Sequence, residues 1–225
     1  MSCKLNVDAL LADTPIFGAL DVARRVPIAR TGHELHVPKH RFVFRRGDIP
    51  AGLYVVASGH IKLAIPSPGG SEKVLEFFGP GQVFGESGMF LERPYRVDAQ
   101  ALEDSVLVCM EREEIYTALE KDPALSRYML MNLARRMDTL VEDIEAVNLQ
   151  SAAQRLVCFL LRQPREGACV RFPYSKGMVA SKLGLSPETL SRLLHQLSSS
   201  GLISVQGRNV TIHKLEDLQQ QLFVN

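Results

Sequence analysis

KGMVASKLGLSPETLSRLLHQL, residues 176–197, decides the reading of this chain. It predicts two short helices joined by a tight turn at Gly184-Leu185-Ser186. Ser186 is a good N-cap, and Pro187 fits the first helical position, where a missing N–H costs nothing. From there Leu190, Leu193, Leu194 and Leu197 recur at helical spacing and make one apolar face. Glu188, Ser191, Arg192 and His195 fall on the opposite face at i, i+3, i+4 and i+7. Met178, Val179 and Leu183 lie upstream and can pack on the leucine stripe. Such a pair is a helix-turn-helix, whose second helix enters the DNA major groove with its first residues at the base edges. A Glu there accepts from a cytosine amino group, and an Arg forks onto guanine O6/N7. Ser186, Thr189 and Ser191 add short hydroxyls at the same end. The other reading of the stretch alone is an αα-hairpin with a solvated polar face.

The flanks support the DNA reading. Residues 151–225 hold nine Lys/Arg against four Asp/Glu, a net +5, whereas residues 1–150 hold 17 against 21, a net −4. The basic portion is the one that contains the two helices, as phosphate contact requires. After the motif, Leu202–Val205 and Asn209–His213 read as strands joined by Gln206-Gly207-Arg208, a wing with Arg208 at its tip. Before it come a strand at Cys169–Phe172 and a helix from Ser151 to Arg162.

Further upstream the 3-4-3-4-3 spacing of Leu130, Leu133, Met137, Leu140, Ile144 and Val147 marks the apolar seam of a long helix, Pro123–Leu149. Arg135, Arg136, Asp138, Glu142, Asp143 and Glu145 are placed elsewhere on its surface. The seam suits a second copy of the chain, because a helix-turn-helix with a two-fold partner reads two half-sites. A helix packed on its own domain is the alternative. Glu111–Glu120 is a shorter helix ahead of it. From His33 to about Met110 the pattern changes to short strands: Arg41–Phe44, Leu53–Ala57, His60–Ile65, Lys73–Phe78, Arg96–Ala101 and Ser105–Met110. Turns fall at Gly47-Asp48, Ser58-Gly59, Pro68-Gly69-Gly70 and Gly79-Pro80-Gly81. That spacing predicts a small barrel or roll. Within His60–Ile65, Ile61, Leu63 and Ile65 should share a face, with His60 and Lys62 on the other. Residues 1–32 read as short helical pieces interrupted at Pro15 and Pro27.

The expected architecture is α+β. A β-roll with flanking helices spans 1–122, a dimerisation helix 123–150 and a winged helix-turn-helix 151–225. Four cysteines (Cys3, Cys109, Cys158, Cys169) without a C-x-x-C pair argue against a disulfide framework or zinc ribbon and suit a reducing cytoplasm. No basic-then-apolar leader and no long apolar run is seen, so a soluble, cytoplasmic protein without membrane contact is expected. No P-loop, G-x-S-x-G or H-E-x-x-H is present, which argues against an enzyme.

Roll, long helix and C-terminal winged helix, in this order and size, resemble the Crp–Fnr superfamily of bacterial transcription regulators. The resemblance is anchored at Phe42-Val43-Phe44-Arg45-Arg46-Gly47-Asp48, Tyr54–Gly59, Phe84-Gly85-Glu86 and Ser186–Leu194. It implies a homodimer on palindromic DNA and contact with RNA polymerase. Glu188-x-x-Ser191-Arg192 matches the E-x-x-S-R motif of the Fnr branch, where the cyclic-AMP receptor branch has Gly in place of Ser191. That motif implies a TTGAT-like half-site, with Glu188 and Arg192 on the C·G and G·C pairs and Ser191 on thymine. In cyclic-nucleotide-binding members a Gly-Glu turn holds the ribose and an Arg-Ser/Thr pair the phosphate. Gly85-Glu86 is present, but Tyr95-Arg96 stands where the second pair belongs, so a cyclic nucleotide, with Arg96 on its phosphate if the register slips by one, is the alternative effector and not the expected one. The iron–sulfur branch needs several N-terminal cysteines, and Cys3 alone does not supply a cluster. Pro187–Leu197, Gly70–Phe77 and Gly201–Ile212 are similar to the denitrification regulators that respond to nitric oxide, which implies haem. Candidate axial ligands are His33, His36, His40, His60 and Cys109, although three histidines within eight residues also read as a solvated turn. The effector pocket is expected between roll and long helix, walled by Phe84, Gly85, Glu86, Met89, Phe90, Tyr95, Arg96 and Tyr128. Plain packing of the roll onto the helix by these residues is the alternative, as is, for the whole chain, a winged-helix adaptor that binds protein.

Overall fold

The computed structural model describes residues 5–67, 72–163, 165–172 and 174–222. Cys3 and the Pro68-Gly69-Gly70 turn lie outside them. The chain divides into two compact units, Met1–Met137 and Asp138–Asn225.

In the first unit, α1 (Val7–Ala12) and α2 (Val22–Thr31) start on Asn6 and Asp21, whose side chains accept from Ala9 and Arg24 N–H. Pro27, expected to interrupt, lies inside α2. It forfeits one helical hydrogen bond, and burial of Ile28 and Ala29 offsets that loss. Strands follow: β1 (His33–Val37), β2 (Phe42–Phe44), β3 (Gly52–Ser58), β4 (Ile61–Pro66), β5 (Glu72–Phe78) and β6 (Val83–Phe84). Helix α3 (Glu86–Leu91) precedes β7 (Asp98–Ala101) and β8 (Ser105–Glu111). Then come α4 (Arg112–Lys121) and α5 (Pro123–Leu149). Two four-stranded antiparallel sheets, β1-β8-β3-β6 and β2-β7-β4-β5, make the roll.

Strand β3 shows why the roll needs helices around it. Tyr54 and Val56 point between the sheets with Phe44, Phe84 and Leu107, whereas Leu53 and Val55 join a second core with Leu11, Phe17, Ile115 and Leu125. Alternate residues thus feed two cores, and the strand reads as an unbroken apolar run. On β4 the expected face is kept only as far as Leu63. A register shift between Leu63 and Ala64 sends Ala64 inward and leaves Ile65 40% exposed. Lys62, expected on the outer face, is buried and ion-paired with Glu72. Strand β7 starts at Asp98 and not at Arg96, because Tyr95 is held by Gly47 and Asp48 backbone and Pro94 cannot donate.

In the second unit, α6 (Ala152–Arg162) opens on a capping box of Ser151 and Gln154. After it come β9 (Arg165–Glu166), β10 (Cys169–Arg171), α7 (Lys176–Leu183), α8 (Pro187–Ser199), β11 (Ile203–Gln206), β12 (Asn209–Ile212) and α9 (Leu215–Gln220). The strand expected before the motif pairs with the wing, Val170 opposite Val210, so the order is β11-β12-β10-β9. One core collects Leu156, Leu160, Phe172, Val179, Ala180, Ile203 and Ile212 around the α8 leucines. Val179 and Leu183 pack there as expected; Ala180, not Met178, takes the remaining place. Burying each α8 leucine contributes about 1.5–3 kcal/mol. Among the described residues no helix is long and apolar enough to cross a membrane.

Candidate functional site

The turn of the two-helix motif is fixed by backbone chemistry. Gly184 sits at φ 67°, its N–H bonded to Ala180 and Ser181 carbonyls, and Leu185 N–H donates to Ala180 O at 2.9 Å. This 6→1 and 5→2 pair terminates α7, and the left-handed residue within it favours glycine. Helix α8 then starts on Ser186, whose hydroxyl accepts from Thr189 N–H at 3.2 Å, with Pro187 in the first turn. Leu190, Leu193, Leu194 and Leu197 are buried. Glu188, Ser191, Arg192 and His195 are exposed along the opposite face. Backbone N–H at the helix start, and next the Ser186 hydroxyl, hold the Glu188 carboxyl below the usual range, so it presents acceptors. His195 Nε2 lies 3.5 Å from Ser199 Oγ. The wing closes through Gly207-Arg208 between paired Gln206 and Asn209, and exposed Arg208 stands at its tip.

In the roll, Gly85 caps α3 at φ 97°, where a Cβ would lie 3.0 Å from the Tyr54 ring and 3.1 Å from Gly52 O. That bend turns Glu86 inward, to 2% exposure. Both Glu86 oxygens accept from Arg136 Nη1 at 2.8 Å, and Nη2 of the same guanidinium donates to Glu76 at 2.8 Å. The guanidinium also lies over Phe78, 5.1 Å from its centroid. Burial pushes the Glu86 carboxyl up and outweighs the opposing pull of Arg136. Arg136 was expected on the helix surface. Leu125 and Met129, both buried on α5, carry a 4-3-4 spacing through Asn132 to Arg136, and that spacing is the sequence signal for its inward position.

A cyclic nucleotide-binding domain family matches residues 34–122, and a Crp-like helix-turn-helix domain family matches residues 154–221. The chain is 30% identical to the cyclic AMP receptor protein of Thermus thermophilus over 186 residues, 83% of this chain and 86% of that one. The chain belongs to the Crp–Fnr family of transcription regulators. FixK2 from Bradyrhizobium japonicum shares the fold, with TM-score 0.75, 23% identity and coverage of 84% and 96% of the two chains. DNR from Pseudomonas aeruginosa is 29% identical over 97% of this chain and 99% of its own, with TM-score 0.52. Crp–Fnr proteins are DNA-binding regulators with an effector domain, not enzymes.

The expected effector pocket of this Crp–Fnr chain is divided. Phe84 and Tyr95 fill the core between the sheets, while Met89 and Phe90 join the core beneath the helices. Tyr95 stacks on Phe44 at 3.6 Å between centroids, and Tyr54 on Phe84 at 5.2 Å. Burial, then Cys109, pushes the Tyr54 hydroxyl up to about 12. Arg96 is exposed on a bend, and Tyr128 is half-buried on α5. None of the eight lines the open groove of about 600 Å³ along Leu119–Ala134 or the cavity of about 340 Å³ between α2 and α4.

The three clustered histidines are solvated, but only His40 lies in a turn. His33 and His36 lie on β1, 68% exposed, with Nε2 atoms 3.3 Å from Glu111 and 2.8 Å from Glu34. His40 occupies a left-handed turn position at φ 65°. His60 Nδ1 lies 2.5 Å from Glu103, and Cys109 is half-buried beside Tyr54. Among the described residues no group of three His, Cys, Asp or Glu is arranged to hold a metal ion. On α5, Leu130, Met137, Leu140, Ile144 and Val147 are 48–67% exposed, and Leu133 is half-buried.

Proposed function

We propose that this protein is a homodimeric regulator that reads a TTGAT-like palindrome with Glu188, Ser191 and Arg192 and responds to an effector through the Glu86–Arg136 joint. The observation that carries the reading is the α8 face: capped at Ser186, buried on its leucine side, and offering an ionised Glu188 and exposed Arg192 from one helix end. Ser186, Thr189 and Arg208 are suited to phosphates, and His195 to the last base reached. Two such faces joined through the α5 seam would read two half-sites and present the roll to RNA polymerase. A gel shift tests the base-reading role. Arg192→Ala should cost about 1–3 kcal/mol on the palindrome and leave random-sequence affinity nearly intact. Equal losses on both DNAs would reduce Arg192 to a phosphate contact.

Which effector the roll takes follows from its chemistry. Tyr95 is stacked in the core, Arg96 points to solvent, and Glu86 already has a partner. A cyclic phosphate would meet no bidentate clamp there. Isothermal titration with cyclic AMP should therefore show no saturable binding in the micromolar range, and a saturable isotherm would overturn this reading. Haem with nitric oxide is the effector implied by the resemblance, and the residues do not fit it in this arrangement. Phe84 and Tyr95, meant to wall it, are packed into the core between the sheets, and Met89 and Phe90 into the core beneath the helices. The effector instead must bind two arrangements of Arg136 with different affinity. A ligand that draws Arg136 from Glu86 would shift α5, the helix that bears the seam.

A further inference from the structure

The roll carries an arginine surface that neither the DNA face nor the Glu86–Arg136 joint uses. The turn after β2 and the segment before β7 are tied together by backbone. Gly47 N–H donates to Tyr95 O at 2.8 Å, Tyr95 N–H to Asp48 O at 3.0 Å, and Arg46 N–H to the Asp98 carboxylate at 2.7 Å. These bonds tie the turn that carries Arg45 and Arg46 to the segment that carries Arg93 and Arg96, and all four arginines are exposed. Among the described residues no carboxylate lies within 4.0 Å of any of the four guanidinium groups. Arg45 lies over the Phe42 ring, 4.3 Å from its centroid, which holds the guanidinium plane in place. Residues 1–137 hold seventeen Lys/Arg and seventeen Asp/Glu, yet residues 45–50 and 91–96 hold four arginines against Asp48 and Glu92.

Two large apolar side chains share this surface. Ile49 is 83% exposed and Leu91 62%. A Cβ on Gly88 would come 2.8 Å from Pro50 Cγ, so the loop tip rests on the last turn of α3. Leu91, three residues on from Gly88, stands on that same side of the helix.

We propose that Arg45, Arg46, Arg93 and Arg96, with Ile49 and Leu91, dock an acidic protein segment that carries leucine-like side chains. Guanidinium forks take carboxylates bidentately, and arginine beside exposed aliphatic groups is the composition of an interface centre. Duplex DNA is the poorer fit. Its phosphates would face Ile49 and Leu91, which offer no donor and which a leucine-bearing segment would cover.

The test uses the full chain and a fluorescein-labelled synthetic peptide of Glu-Glu-Leu-Leu repeats, followed by polarisation. Saturable micromolar binding is expected, weakening as salt rises. Arg45→Ala with Arg96→Ala should weaken it about tenfold or more, as loss of two charge-assisted contacts implies. Ile49→Ser should weaken it several-fold, and Arg192→Ala should not. Because every altered side chain is exposed, the thermal midpoints should match that of the parent chain. Peptide binding indifferent to both the arginine pair and Ile49 would overturn the proposal. So would a double variant that loses random-duplex affinity with a shallower salt slope, which assigns the surface to nucleic acid.

Discussion

Glutamate at both Leu140 and Ile144 is expected to convert the protein into a folded monomer that has lost the palindrome. Within one chain these side chains are 49% and 62% exposed, so their replacement removes little intramolecular packing and each unit should keep its melting behaviour. Across a two-fold seam each glutamate would face its symmetry mate in apolar surroundings. Burial of like charges there costs more than the seam can return. A single winged helix then binds one half-site without the gain of linkage, so affinity for the palindrome should fall about 10²–10⁴-fold. Sedimentation equilibrium and a gel shift on the same sample measure both effects. A double variant that still sediments as a dimer would refute this seam as the contact.

Arg136→Met is expected to produce the largest stability loss of any single substitution considered. Methionine keeps much of the stem over Phe78 but removes the cation from Glu86, which is 2% exposed. An uncompensated buried carboxylate costs about 3–5 kcal/mol when its partner is deleted. The sign with pH follows from the carboxyl. Its pKa is raised in the folded chain already, and loss of Arg136 raises it further. Above the unfolded value of 4.5 the unfolded chain releases that proton while the folded chain still holds it, so the stability that the protonated group contributes is present at acid pH and fades as pH rises. Thermal unfolding at several pH values should therefore show a deficit that grows as pH rises above the unfolded value. A deficit independent of pH would mean that Arg136 contributes packing alone. Arg136→Met with Glu86→Gln should recover part of the loss, since a neutral amide needs no counter-ion.

Much of this protein was legible in one dimension, because local chemistry and short periods wrote it there. Ser186-Pro187 starts α8 and Gly184 ends α7 whatever surrounds them, and the leucine spacing then fixes which face Glu188 and Arg192 occupy. The same holds for α5, whose seam repeats over several turns, and for strands such as β3 and β8. Tertiary structure decided what short periods cannot encode. One register shift on β4 exchanged Ala64 for Ile65 at the core, although nothing in His60–Ile65 marks it. His33 and His36 became a strand because β8 offers them a ladder, not because His-Glu-Leu-His prefers to extend. Phe84, Met89 and Tyr95 are apolar enough for a pocket or for a core, and only the bend at Gly85 and the stack on Phe44 sent them into the core. Arg136 meets Glu86 and Glu76 across 50 and 60 residues of chain. A charge on a helix looks solvated in sequence. Whether it is buried depends on which carboxylates the fold carries to it, and that is a property of the folded roll.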